Sequence, residues 1–178
     1  MLVDFVQTQE VILKKLYIKQ KVFSVGEKFT VMNENQEPYY YVRGSFLKIP
    51  KVFTIIDTTG EEIGKVTKKV FALLPKFYVE ISGKEQIMIE KRLSVFRAKY
   101  DIHAEGLEID GDWWDLNFGV YKNGQQVADI NKKLIAWGDT YEVTILDESL
   151  EELIICLVVA IDCVKADEAD SSTTSVID

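Results

Sequence analysis

Histidine occurs once in 178 residues and cysteine twice, and the chain has no excess of basic residues. Each scarcity removes a class of chemistry. The lone histidine, His103, lies in "YDIHAEG", which reads as a strand, and is taken as a structural residue. No Ser or Cys relay can be built around it from the motifs at hand: there is no G-x-S-x-G, no P-loop and no dinucleotide fingerprint. One histidine and two cysteines also leave too few ligands for zinc. An enzyme is not expected, nor a cofactor, nor a metal site.

Cys156 and Cys163 are seven residues apart on one apolar segment. On a helix that spacing is about 10 Å of rise, too long for a disulfide. Both read as small buried residues of a reducing compartment. The start, "MLVDFVQTQEVILKKLYIKQK", lacks a basic stretch followed by an apolar run, so no secretory leader is expected and the cytoplasm is the expected location. The net charge is −8, of which Asp167, Glu168, Asp170 and Asp178 lie beyond the last basic residue, Lys165. An acidic chain of this kind excludes nucleic acid as the expected partner.

A membrane-length hydrophobic run is lacking too. The longest, Leu153–Ile161, has nine residues. Even Leu153 to Val164, interrupted by Asp162, would span only about 18 Å against about 30 Å of hydrocarbon. No transmembrane span is expected.

What is present is the grammar of a β protein. Hydrophobic content is 47% and charged content 28%, enough for one domain with a sizeable core, set at residues 1–166. The tail 167–178, "DEADSSTTSVID", is expected to be disordered. Between them, "FTVMNENQEPYYYV", "KVFTIIDTTGEEIGKV", "KFYVEISGKEQIMIE", "AKYDIHAEGLEIDG" and "FGVYKNGQQVADINKKL" each set a polar turn between apolar or aromatic runs. These are hairpins. Their turns centre near positions 36, 60, 83, 106 and 124. With a strand near Leu16–Lys21 and a last one at Tyr141–Leu146, about twelve antiparallel strands result. The stretch Val66–Lys76 reads either as a strand end with a loop or as one helical turn before Pro75. A row of hairpins must manage two edges, and closing into a barrel removes them.

Ser149-Leu-Glu-Glu152 matches a capping box, which starts a helix over about 149–165 with Lys165 near its end. That helix is apolar on every face, so it must be buried on every face. A barrel of about twelve strands is too wide for side chains alone to fill. The helix is therefore expected to thread the barrel as its core.

Those features resemble a known family. "GDTYEVTILDESLEELIICLVVAIDCV", preceded by "VADINKKLIAW" and "EIGKVTKKVFALLPKFYVEISGKE", is similar to the LURP-one-related family, across about residues 8 to 166. The resemblance implies a Tubby-like fold, a twelve-stranded barrel around a C-terminal helix. More distantly the ending is similar to phospholipid scramblases. Tubby proteins bind phosphoinositide head groups, whereas most LURP-one-related proteins have no assigned chemistry. The chain lacks the Pro-rich N-terminal extension and cysteine cluster of eukaryotic scramblases, so scrambling is not expected.

The candidate site is basic. Lys65, Lys68 and Lys69 form one cluster, Lys91 and Arg92 a second with Arg97 and Lys99 following, and Lys132 and Lys133 a third. Each follows a hairpin. Gathered at one rim they would bind anionic phospholipid head groups; scattered, they are solvated strand ends. Lysine outnumbers arginine 18 to 3, which suits diffuse charge over bidentate clamping. The expected function is a non-enzymatic binding module for an anionic membrane surface. The alternative is a protein-interaction or structural module without a small ligand.

Other constellations have structural readings first. Asp110, Asp112, Asp115 and Asn117 supply oxygen ligands, but Trp114 and Gly111 break the calcium-loop template. Asp147, Glu148, Glu151 and Glu152 read as helix capping. One of Trp113 and Trp114 is expected in the core, and the other either exposed as a membrane or partner anchor or covered by a loop. Asp162 either reaches solvent or a backbone amide, or is buried with a Lys or Arg partner.

Overall fold

The computed structural model of the protein describes residues 13–20, 27–45, 49–69, 76–92, 99–103, 106–112, 115–135 and 138–173. Twelve strands appear in chain order: β1 (Lys14–Gln20), β2 (Glu27–Met32), β3 (Pro38–Gly44), β4 (Val52–Asp57), β5 (Glu62–Lys68), β6 (Lys76–Ile81), β7 (Ile87–Arg92), β8 (Lys99–His103), β9 (Leu107–Asp112), β10 (Asn117–Lys122), β11 (Gln125–Ile135) and β12 (Gly138–Ile145). A 3-10 turn, Glu148–Leu150, leads into one helix, α1 (Glu151–Thr173).

All twelve strands join one sheet in the order β8-β7-β6-β5-β4-β3-β2-β1-β12-β11-β10-β9, with every neighbouring pair antiparallel. The first and last strands pair in the middle, Lys14 opposite Ile145 and Lys19 opposite Thr140. The edges are β8 and β9, which follow each other in the chain; among the described residues no ladder joins them.

All five expected turns have a residue of positive φ near their centre: Gln36 (63°), Gly60 (92°), Gly83 (74°), Gly106 (70°) and the pair Asn123 (51°) and Gly124 (80°). Such backbone is open to glycine and tolerated by asparagine, so four of the five turns announce themselves. The undecided stretch resolves in part: β5 runs through Lys68 and β6 begins at Lys76, with 70–75 outside the described residues.

The helix begins differently from its expected capping box. Asp147 is the cap: its Oδ1 accepts from the Ser149 amide (3.0 Å) and the Ser149 hydroxyl (2.6 Å). The acidic residue takes the cap because the chain enters through a 3-10 turn, which brings the Ser149 amide onto the Asp147 carboxylate. Glu152 instead faces Lys84 at 3.4 Å. The helix also continues past residue 165, to Thr173.

One face of the strands supplies the core, with Leu16 and Ile18, Phe53 and Ile55, Phe77 and Val79, and Val143 and Ile145 all buried. No residue from Leu153 to Ile161 is more than 6% exposed. Over those nine residues the helix is therefore covered on every side, which is how a rod apolar all round is stable in water. Glycine makes one close approach work: a Cβ at Gly64 on β5 would meet the Cys156 sulfur at 3.0 Å. Among the described residues no helix is long and apolar enough to cross a membrane.

Candidate functional site

Two buried carboxylates fix the direction of the helix. Glu151, at its start, accepts from the Tyr40 hydroxyl at 2.7 Å and pairs with Lys14 at 2.5 Å. Asp162, eleven residues on, is also buried and accepts from the Tyr141 hydroxyl at 2.8 Å. Lys14 opens β1, whereas Tyr141 lies near the start of β12, opposite Ile18. Since the two strands are antiparallel, these contacts lie at opposite ends of the sheet. The helix enters at the end where β1 begins and leaves at the end where β12 begins. Asp162 is thus buried and held by a tyrosine instead of turned out to solvent.

The entry contact is a charge-assisted network. Burial alone would lower the Lys14 ammonium, but hydrogen bonds to Glu151 and Tyr39, with their charges, outweigh it and raise its pKa. The Lys14 ammonium donates to the Tyr39 hydroxyl at 2.7 Å and sits 4.3 Å from the centre of that ring. The Tyr40 hydroxyl is raised first by burial, then by its bond to Glu151. Burial pushes the Cys156 thiol up to about 12, so this cysteine is an inert packing group.

The antiparallel order also sorts the turns between two ends. At the end where the helix enters lie the tight turns, and these carry Glu34, Glu37, Glu61, Glu85 and Asp147. Their one lysine, Lys84, is paired with Glu152. At the end where the helix leaves, the described linking residues include Lys51 and Lys69 against Asp115. The described turns are thus polarised along the strands, acidic where the helix enters and more basic where it leaves.

Most of the basic candidates fall at that second end. Lys68 closes β5 opposite Phe77, and Lys69 follows it, its amide donating to the Lys76 carbonyl at 2.8 Å. The Lys69 ammonium lies 5.8 Å from the centre of the Tyr78 ring. Lys91 and Arg92 close β7, two strands away, with Arg92 opposite Lys99; their side chains are outside the described residues. Lys132 and Lys133 lie near the end of β11, opposite Tyr141 and Thr140, on the far side of the sheet order from β5. Lys132 thus borders the tyrosine that holds Asp162. Lys133 faces Glu142 at 3.4 Å.

Lys65 does not join them. It sits in mid-strand opposite Thr54, with its ammonium 3.4 Å from Glu62. Two lysines overlooked in sequence do belong there: Lys76, ion-paired with Glu90, and Lys51, whose carbonyl accepts from the Lys68 amide at 3.0 Å. Neither was part of a basic run, and only the register brings them beside Lys68.

The remaining constellations are local. Asp112 accepts from the Asp115 amide at 3.2 Å, bracing the β9–β10 link, and Asn117 accepts from the Lys132 amide at 3.3 Å, tying β10 to β11. Among the described residues, no three His, Cys, Asp or Glu side chains are grouped to hold a metal ion. His103 ends β8 opposite Met88; its side chain, that of Cys163, and both Trp113 and Trp114 lie outside the described residues.

A twelve-stranded antiparallel sheet around a buried C-terminal helix defines a narrow class of protein. Residues 14–162 match the LURP-one-related family, and the chain belongs to it. It is 29% identical over 160 residues to an uncharacterized Bacillus subtilis (strain 168) protein, YxjI, covering 89% of this chain and 98% of that one. The fold is also similar to the X-ray structure of a protein from Arabidopsis thaliana, with a TM-score of 0.56 at 12% identity over 84% of this chain and 91% of the other.

Proposed function

We propose that this chain is a non-enzymatic, Tubby-like binding module that takes anionic phospholipid head groups at its basic end. The observation that carries the reading is the polarity of charge: Lys51, Lys68, Lys69, Lys91, Arg92 and Lys132 share the end where α1 leaves, while the opposite turns are acidic. A chain with a net charge of −8 would be repelled by an anionic surface unless it presented such an end. Lysine-rich diffuse charge suits a layer of phosphates, worth about 1 kcal/mol per lysine near an anionic bilayer.

The sheet is taken to close, β8 against β9, into a barrel. The support is a helix buried on all sides and edge strands linked by three residues. Because α1 occupies the interior, ligand is bound outside it, at the rim. The cytoplasm is the compartment proposed, where two cysteines of this kind remain reduced.

Co-sedimentation with neutral and anionic vesicles tests the reading, at low and high salt, with and without calcium. Binding should require anionic lipid and fall with salt, and Lys68→Glu/Lys69→Glu should abolish most of it. Equal recovery in the supernatant with every vesicle would sink the proposal and favour a protein partner.

A further inference from the structure

We infer that Ile49, in the link between β3 and β4, is a bilayer-inserting anchor, so that the partner of the basic end is a lipid surface and not a soluble anion. This rests on the anionic reading above. Ile49 is 84% exposed, the most exposed large apolar side chain among the described residues; the other, Leu13, is 50% exposed and precedes β1 at the acidic end. One exposed isoleucine is ordinary by itself. Its position makes it informative. It lies at the basic end, followed by Pro50 and Lys51, both exposed.

The base of the link is closed by hydrogen bonds. The Ser45 amide donates to the Val52 carbonyl at 2.7 Å, and the Val52 amide donates to the Ser45 hydroxyl at 3.0 Å. The Lys51 carbonyl is held by the Lys68 amide at 3.0 Å. Ile49 is thus carried on a fixed base two residues from Lys51, which is tied directly to the Lys68–Lys69 corner. An apolar tip beside ammonium groups matches the two layers of a membrane surface, phosphates outside and acyl chains beneath. A free phosphate or soluble head group offers the lysines a partner but offers Ile49 nothing.

The test uses the full chain with vesicles of phosphatidylcholine alone or mixed with phosphatidylserine. Ile49→Ser should weaken partition onto the mixed vesicles on the order of tenfold, from the lost burial of one side chain. Its salt dependence should match the unaltered protein, because no charge changes. A polarity-sensitive dye on Ile49→Cys, in a Cys163→Ser background where buried Cys156 is shielded, should shift to the blue with the mixed vesicles only. Unaltered partition by Ile49→Ser and a silent dye, with Lys68→Glu/Lys69→Glu still deficient, would overturn the anchor and leave the basic end standing. Absence of binding by the unaltered chain would overturn both.

Discussion

Gly64 on β5 and Cys156 on α1 are in contact because one of them has no side chain: a Cβ at position 64 would stand 3.0 Å from the Cys156 sulfur and 3.4 Å from the Glu80 carbonyl oxygen. Cys156 is fully buried, so its sulfur cannot turn out to solvent to make room. Gly64→Ala should therefore destabilise by about 1–3 kcal/mol, the usual cost of overpacking. Adding Cys156→Ala removes the clashing atom, so the double variant should lose less than the two single variants combined. Urea unfolding of the four proteins measures the coupling; strict additivity would mean that the helix shifts freely.

The Glu151 network predicts an order of effects. Tyr40→Phe removes one hydrogen bond to a carboxylate that retains Lys14, and should cost about 1.5–3 kcal/mol. Lys14→Met leaves that carboxylate buried without its counter-charge and should cost more. Lys14→Met/Glu151→Met replaces the ion pair by apolar groups and should recover most of the loss. Denaturant midpoints check the order. A Lys14→Met protein as stable as the unaltered one would show that Glu151 is held by other means.

Alkaline pH should destabilise the fold. In the folded state the Cys156 thiol is raised from about 9 to about 12 by burial, Tyr40 is raised by burial and Glu151, and Lys14 is raised by its partners against burial. Each group holds its proton more tightly folded than unfolded. Its contribution is complete below its ordinary value, near 9 for the thiol and 10 to 10.5 for the others, and is lost as pH rises toward the folded value. The urea midpoint should be flat to about pH 9 and fall above it, with Cys156→Ala flattening the first part of the fall. A midpoint constant to pH 11 would contradict these assignments.

The architecture was legible because it is written in local chemistry. Gly60, Gly83, Gly106 and Asn123-Gly124 mark four turns, and nine apolar residues in an acidic frame mark the helix. The site was legible only in part. Lys68, Lys69, Lys132 and Lys133 stand out as runs, but whether a lysine reaches the rim depends on register: Lys65, three positions before Lys68, falls in mid-strand, and Lys51 arrives from another hairpin. Glu151 looked like a capping residue because its partners, Lys14 and Tyr40, are 137 and 111 positions away. Asp162 was conspicuous in sequence, yet its tyrosine partner depends on how α1 threads the sheet.

The direction of α1 carries a last prediction. Beyond Asp162 the helix runs on to Thr173, about 16 Å of further rise, from the end that holds the basic candidates. Its sequence there contains Asp167, Glu168 and Asp170 against Lys165. In water at roughly 10 Å, one charge pair is worth about 0.4 kcal/mol before screening. Three such charges approach about 1 kcal/mol, or severalfold in affinity for an anion competing for the same lysines. Asp167→Asn/Glu168→Gln/Asp170→Asn should thus bind anionic vesicles about threefold to tenfold more tightly at low salt, with the gain shrinking as the Debye length falls below about 10 Å. A chain ending at Lys165 should behave alike. Equal or weaker binding by both would mean that the acidic turns lie too far from the basic end to compete, or that their charge matters only for stability, which thermal melts of the same variants would reveal.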